Sequence, residues 1–351
     1  MSRTTVACPS DGESEKVSVD TSVDAVRDPV AAPTRPLDVA GLEAAALAAT
    51  RDAAIACQPF VGRGDKHAAD AAATEAMRRA LAKAPGVGTV VIGEGDKDGA
   101  PMLYSGERVG AGGPAFDIAV DPLECTTFCA RGLPGSLATI AFAGANAMLR
   151  PGPSHYMDKL VVPPAAREAI DITDAPAANL ARVADALEKE VAELRVVVLD
   201  KPRHAELIAR LRRAGAAVTT PSDGDVAGAL EALLPSHDAD LLMGVGGTPE
   251  GVMTACAARA LAGGMQARLA PQSDAEARAL AEAGLDAERV YGLADLVAAS
   301  ALFVATGVTG GSLLARPSAL DGAVVMESLV ISERGVRLVR ERSVPRPEEV
   351  G

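Results

Sequence analysis

The chain has 351 residues and a net charge of −13, with 48% hydrophobic residues, 2% aromatic residues and no tryptophan. That length allows two domains or one large α/β unit, with a core built from Ala, Val, Leu and Ile. The acidic balance excludes a nucleic-acid binder that works by bulk attraction, which needs a basic surface. A local phosphate site remains compatible with it, because carboxylates holding divalent cations reverse the local sign.

The five cysteines, Cys8, Cys57, Cys125, Cys129 and Cys256, form no CxxC pair. Neither a disulfide framework nor a zinc ribbon is expected. The N-terminal residues lack the apolar core of a signal peptide, and no apolar run reaches the length of a membrane span. The expectation is a soluble cytoplasmic protein with reduced thiols and no membrane partner.

Residues 1–36 are rich in Ser, Asp, Thr and Pro without periodicity and read as a disordered leader. Val39 to Cys57 is Ala-rich and free of Pro, which predicts a buried helix. A second helix is predicted after the turn Gly62-Arg63-Gly64-Asp65-Lys66, with Pro85-Gly86 ending it. Beyond it, short β-type runs alternate with polar loops and helical stretches: Thr89–Ile92, Phe116–Val120, Leu137–Phe142, Arg195–Leu199, Ala216–Thr219, Leu241–Val245 and Ala301–Ala305. This rhythm predicts an α/β fold with parallel segments. Ligands in open α/β sheets bind outside the carboxyl ends of strands, so the loops after these runs are the places to look for chemistry.

Asp65 stands before a helix and reads in isolation as its N-cap. Glu94 lies between two glycines that would let a ligand approach the backbone, and Asp96 and Asp98 follow in an acidic loop. The most informative segment is Asp121-Pro122-Leu123-Glu124-Cys125-Thr126-Thr127. Asp121 closes an apolar strand, which Pro122 is expected to stop. Hard oxygen ligands at this spacing suit Mg²⁺ or Mn²⁺, and two such ions would flank a phosphoryl group. Glu250 sits at a glycine-rich strand-to-helix turn. Lys201 and Arg203 follow a strand and suit a second phosphate as point charge and fork. Asp223 and Asp225 suit hydrogen bonds from sugar hydroxyls. The four histidines show no metal spacing and read as surface or capping residues.

Taken in order, GRGDK, IGEG, APMLY, DIAVDPLE, HYMDKL, KPRH, DGDV, TPEG and ATGVT resemble the class II fructose-1,6-bisphosphatases of the GlpX type, from about Leu37 to Arg340. The resemblance implies the layered sheet-and-helix sandwich of the lithium-sensitive sugar phosphatases, in two subdomains. Residues 37–185 would bind metal and 186–345 the sugar phosphate, with a tail at 346–351. It further implies metal ligation by Asp65, Glu94, Asp121, Glu124 and Glu250. Thr126 would position phosphate and the attacking water, and Asp98 would handle a proton. Glu124, Tyr156, Lys201, Arg203, Asp223, Asp225 and Gly247 would hold the substrate. The implied activity is metal-dependent hydrolysis of the 1-phosphate of fructose 1,6-bisphosphate in gluconeogenesis, or of sedoheptulose 1,7-bisphosphate, by a homo-oligomer.

The sequence departs from the family in four places. Cys125 stands where the family has Gly, His67 where it has Asn, ATGVTGGSL has lost a charge pair, and a charged loop before Ala277 is short. These departures motivate two rival readings: a phosphatase for another sugar or cyclitol phosphate, or a sugar-phosphate binder without turnover.

Overall fold

Residues 39–93, 103–235 and 237–343 are described by a computed structural model. The expected leader and tail lie outside these residues, as does the acidic loop with Glu94, Asp96 and Asp98. In chain order the strands are β1 (Gly86–Ile92), β2 (Arg108–Gly112), β3 (Ala115–Glu124), β4 (Leu137–Gly144), β5 (Tyr156–Val162), β6 (Arg195–Val197), β7 (Ala217–Thr219), β8 (Leu241–Gly247), β9 (Gly264–Leu269), β10 (Tyr291–Gly292), β11 (Ala301–Gly307), β12 (Ser318–Leu320), β13 (Ala323–Ser332) and β14 (Gly335–Ser343). The helices are α1 (Val39–Ala56), α2 (Lys66–Leu81), α3 (Thr126–Arg131), α4 (Pro176–Ala186), α5 (Ala205–Arg213), α6 (Asp225–Leu233), α7 (Thr248–Ala260), α8 (Asp274–Glu282) and α9 (Leu293–Leu296).

The strands form two sheets. One runs β12-β13-β11-β4-β3-β1-β2 with β14 on the free side of β13, and the other runs β10-β9-β5-β8-β6-β7. Parallel pairing is confined to β1–β3, β6–β7 and β6–β8, and the remaining pairs are antiparallel. Sheet membership changes between β4 and β5 and again between β10 and β11.

Alternation along the strands assigns each face to a different core. Phe116, Ile118 and Val120 of β3, with Ile140 and Phe142 of β4, pack under α1 and α2. On the opposite face, Ala119, Ala141 and Phe303 meet α6 and α7, which also contact Met157 and Val161 of β5. The far face of the second sheet, with Leu160 and Val196, is covered by Leu180 of α4 and Leu211 of α5. The result is five layers, helix–sheet–helix–sheet–helix, the sandwich that the resemblance implies. With Ala46, Ala49 and Ala53 of α1 and Ala69, Ala73 and Ala80 of α2 buried, the first two helices approach closely without large side chains.

Two local expectations need correction. Pro122 does not stop β3, which continues to Glu124. The register with β4 shifts between Asp121 and Glu124. A bulge of this kind accommodates a residue that cannot donate to the ladder. Helix α2 ends at Leu81, short of Pro85, and Gly86 already begins β1 at φ +112.

Candidate metal and phosphate site

The site lies at one end of the layer between the sheets. Asp121 shares its strand face with Ala119, which packs toward α6 and α7, and the bulge after it brings Glu124 back to the same region. Glu250 arrives from the first turn of α7, where Pro249 suits a position whose missing N–H is not needed. One carboxylate oxygen from each of Asp121, Glu124 and Glu250 lies within 4.8 Å of the others. Gly247 makes this possible, because a Cβ there would overlap Glu250 Oε2.

Burial raises the pKa of Glu124 well above the usual carboxylate range, and the charge of Asp121 adds to the shift. Burial also raises Glu250, reinforced by Asp225 and opposed by Lys159. Glu250 Oε2 is buried and has no hydrogen-bond partner. A buried, unpaired carboxylate oxygen is costly, and a cluster of them repels itself. A hard divalent cation satisfies both conditions, so the donor set fits a metal ion bound through carboxylate oxygens.

The three carboxylates open into a cavity of about 530 Å³ that Thr126 and Asp223 also line. Helix α3 starts at Thr126, whose hydroxyl donates to Leu123 O at 3.0 Å. Cys125 precedes it in the left-handed region, at φ 60 and ψ 49. This is the conformation in which glycine is at ease and a Cβ is strained. The sulfur turns toward the Asp223–Asp225 loop, where a Cβ on Gly224 would come within 3.0 Å of Cys125 Sγ. Burial raises the thiol pKa, with Glu124 and Asp223 contributing, which disfavours the thiolate form.

Asp65 stands apart from the three-carboxylate cluster. It is exposed and caps α2, accepting from Ala68 N at 2.9 Å. Its neighbours Lys66 and His67 line the cavity. The predicted ligand Glu94 and proton carrier Asp98 lie outside the described residues, although Gly93 before them lines the cavity.

The predicted sugar-phosphate residues form a second group. Tyr156 opens β5 and pairs with Gly247 of β8. The Arg203 guanidinium lies 5.2 Å from the centre of the Tyr156 ring and donates to Val245 O through Nε (3.2 Å) and Nη2 (2.9 Å). Lys201 is half-buried at the start of the same Lys201–His204 turn. Asp223 lines the same cavity as the three carboxylates, whereas Asp225 is buried and held by Lys159 Nζ.

Two residues near the site escape the sequence reading. Lys159 is 2% exposed, pairs with Asp225 and donates to Gly247 O at 3.1 Å. Its signal was a charge on the inward-facing register of an apolar strand, between Met157 and Val161. His204 is not a surface residue: it is 2% exposed, with Nδ1 2.7 Å from Leu199 O and Nε2 accepting from Val245 N at 2.8 Å.

No described helix is long and apolar enough to cross a membrane. Residues 40–343 match the family described as bacterial fructose-1,6-bisphosphatase, glpX-encoded. The chain is 41% identical over 310 residues to fructose-1,6-bisphosphatase 1 class 2 of Escherichia coli strain K12, covering 84% of this chain and 92% of that relative. The same figures hold for the fructose-1,6-bisphosphatase class 2 proteins of Escherichia coli O6:H1 and of Shigella flexneri. With its layered fold, its carboxylate cluster and this similarity along most of its length, the chain belongs to the class II, GlpX-type fructose-1,6-bisphosphatase family of hydrolases.

Proposed function

We propose that this enzyme hydrolyses the 1-phosphate of a sugar bisphosphate, fructose 1,6-bisphosphate first and sedoheptulose 1,7-bisphosphate second, with Mg²⁺ or Mn²⁺. The observation that carries the reading is the convergence of Asp121, Glu124 and Glu250 on one cavity, with an orphaned carboxylate oxygen among them. These residues would hold the ion, joined by Asp65 and Glu94 if a second ion is taken up. When bound, such ions neutralise phosphoryl oxygens and lower the pKa of water.

The chain's own residues supply the rest. Thr126 spends its hydroxyl proton on Leu123 O, so its oxygen presents lone pairs to the cavity and can accept from, and orient, the attacking water. Water oxygen bonds to phosphorus as the bond to the sugar oxygen breaks; the sugar oxygen leaves with the bonding pair and takes a proton from solvent, and no covalent enzyme intermediate forms. Asp98 is the candidate to take the water's proton. Asp223 and Asp225 suit the sugar hydroxyls, while Tyr156, Lys201, Arg203 and the Gly247 backbone suit the non-reacting phosphate.

Phosphate release across a panel of sugar phosphates, with Mg²⁺ and with Mn²⁺, tests the reading. Fructose 1,6-bisphosphate should show the highest kcat/KM, and chelation should abolish turnover. A metal-indifferent enzyme, or one preferring a monophosphate, would overturn it. Arg203→Ala should raise KM for the bisphosphate by on the order of tenfold and change a monophosphate far less, since only the bisphosphate loses a remote contact. Equal losses on both substrates would remove Arg203 from that role.

Cys125 favours a second reading, retuning for another sugar, because a side chain occupies a left-handed position beside the cavity. Cys125→Gly removes strain of about 1–2 kcal/mol and gains backbone entropy in the unfolded chain that offsets up to about 1 kcal/mol of it. Thermal stability should therefore change little. For an ordinary bisphosphatase, kcat/KM on fructose 1,6-bisphosphate should rise several-fold. For a retuned enzyme the same change should lower activity on its own sugar while improving it on fructose 1,6-bisphosphate.

A further inference from the structure

Strand β8 runs beside β6 only as far as Leu242, yet it continues to Gly247. Past that point, the backbone of Val245 on that side is served by side chains. His204 Nε2 accepts from Val245 N–H at 2.8 Å, and Arg203 donates twice to Val245 O. The other ring nitrogen of His204 lies 2.7 Å from Leu199 O, so Nδ1 carries the proton and donates there, and Nε2 is left as an acceptor. The imidazole therefore bridges the segment that follows β6 to the last residues of β8. Gly244, at φ +119, leaves room for it, because a Cβ would stand 3.0 Å from Nε2.

We propose that His204 is a positioning residue for the non-reacting phosphate: its neutral ring replaces the missing strand partner and fixes the carbonyl on which Arg203 is docked. The idea rests on the reading that Arg203 holds that phosphate. An arginine has five N–H donors, and two of the five point at Val245 O. With the fork anchored there and stacked on Tyr156, the remaining donors face a fixed direction. If the Val245 peptide shifts, Arg203 keeps its charge but loses its aim, which weakens the substrate with two phosphates and spares the chemical step. The charged groups facing the ring are Asp158 on β5, which favours its protonation, and Arg203, which with burial opposes it. Protonation would replace the acceptor at Nε2 with a donor facing Val245 N–H.

The test compares His204→Phe, which keeps a ring and removes both bonds, with His204→Gln, which can restore one donor and one acceptor. Steady-state kinetics on fructose 1,6-bisphosphate and on a sugar monophosphate are read beside thermal unfolding and Mn²⁺ binding. The Phe variant should raise KM for the bisphosphate by on the order of tenfold, with kcat and the monophosphate KM moving much less. The Gln variant should recover part of the loss. In an Arg203→Ala background, His204→Phe should have no further effect on the bisphosphate KM. Should the Phe variant fail to fold, the Gln variant alone and in that background carries the same comparison. A folded His204 variant that lowers only the melting temperature, while Arg203→Ala still raises the bisphosphate KM, overturns the positioning role. If Arg203→Ala itself fails to discriminate the substrates, the phosphate assignment falls first.

Discussion

Asp121→Asn should fold, lose Mn²⁺ affinity and lose on the order of a thousandfold in turnover, since the site would forfeit about 4 kcal/mol of transition-state charge stabilisation. The substitution is nearly isosteric, and Asp121 Oδ1 already accepts from Leu123 N at 3.1 Å, a bond the amide oxygen can keep. The loss would therefore report charge rather than a collapsed bulge. Calorimetric Mn²⁺ titration beside phosphate release checks it, and near-full turnover in the variant would sink the metal reading.

The same cluster predicts a pH effect on the metal-free protein. Burial and mutual repulsion raise Glu124 and Glu250 above their unfolded values. The native state then binds more protons than the unfolded state in the window between those values, so stability falls as pH rises through it. Chelated protein should melt at lower temperature as pH climbs from below the usual carboxylate range toward neutrality. The gain on adding Mn²⁺ should be largest at the high end, where no proton competes for the carboxylates. A melting temperature flat with pH under chelation would show that the cluster is already neutralised from within.

What the sequence made legible was local. Asp121 and Glu124 could be read because they end an apolar run within four residues, and Glu250 because glycines and a proline mark its turn. Their meeting follows only from the family resemblance and not from local pattern, because α7 is brought to β3 by packing between two sheets that the order of elements does not reveal. The strand–loop–helix rhythm predicts parallel segments, which β1–β3, β6–β7 and β6–β8 supply, but it does not announce that β5, β9 and β14 enter antiparallel, because nothing in their composition sets direction. Cys125 shows the limit at a single residue. Sequence exposes it as a departure, but only the backbone reveals that it holds a left-handed conformation. His204 and Lys159 were missed for a related reason: each is a polar residue in a run that reads adequately without it, and each matters through backbone groups distant in sequence.

Lys159→Met is expected to lower stability by about 3–5 kcal/mol, the cost of stripping one partner from a buried ion pair. Both partners are nearly solvent-free, with side chains 2% and 9% exposed. The surrounding structure is shaped to the pair, since a Cβ on Gly246 would overlap Asp225 Oδ2 and crowd Lys159 Nζ. Methionine preserves the length and apolar stem of lysine but leaves Asp225 facing Glu124 and Glu250, whose charges it already opposes. Gly247 O also loses its donor, at the turn that presents Glu250. The loss should therefore reach activity as well as stability. Pairing the change with Asp225→Leu separates the two consequences. An apolar pair of similar volume leaves no stranded charge and should recover most of the stability. It should not recover turnover, because Asp225 is then absent from the loop expected to meet the sugar. Urea unfolding of the single and double variants provides the measurement. If Lys159→Met unfolds at the wild-type midpoint, the ammonium is not the buried counterion that the geometry describes.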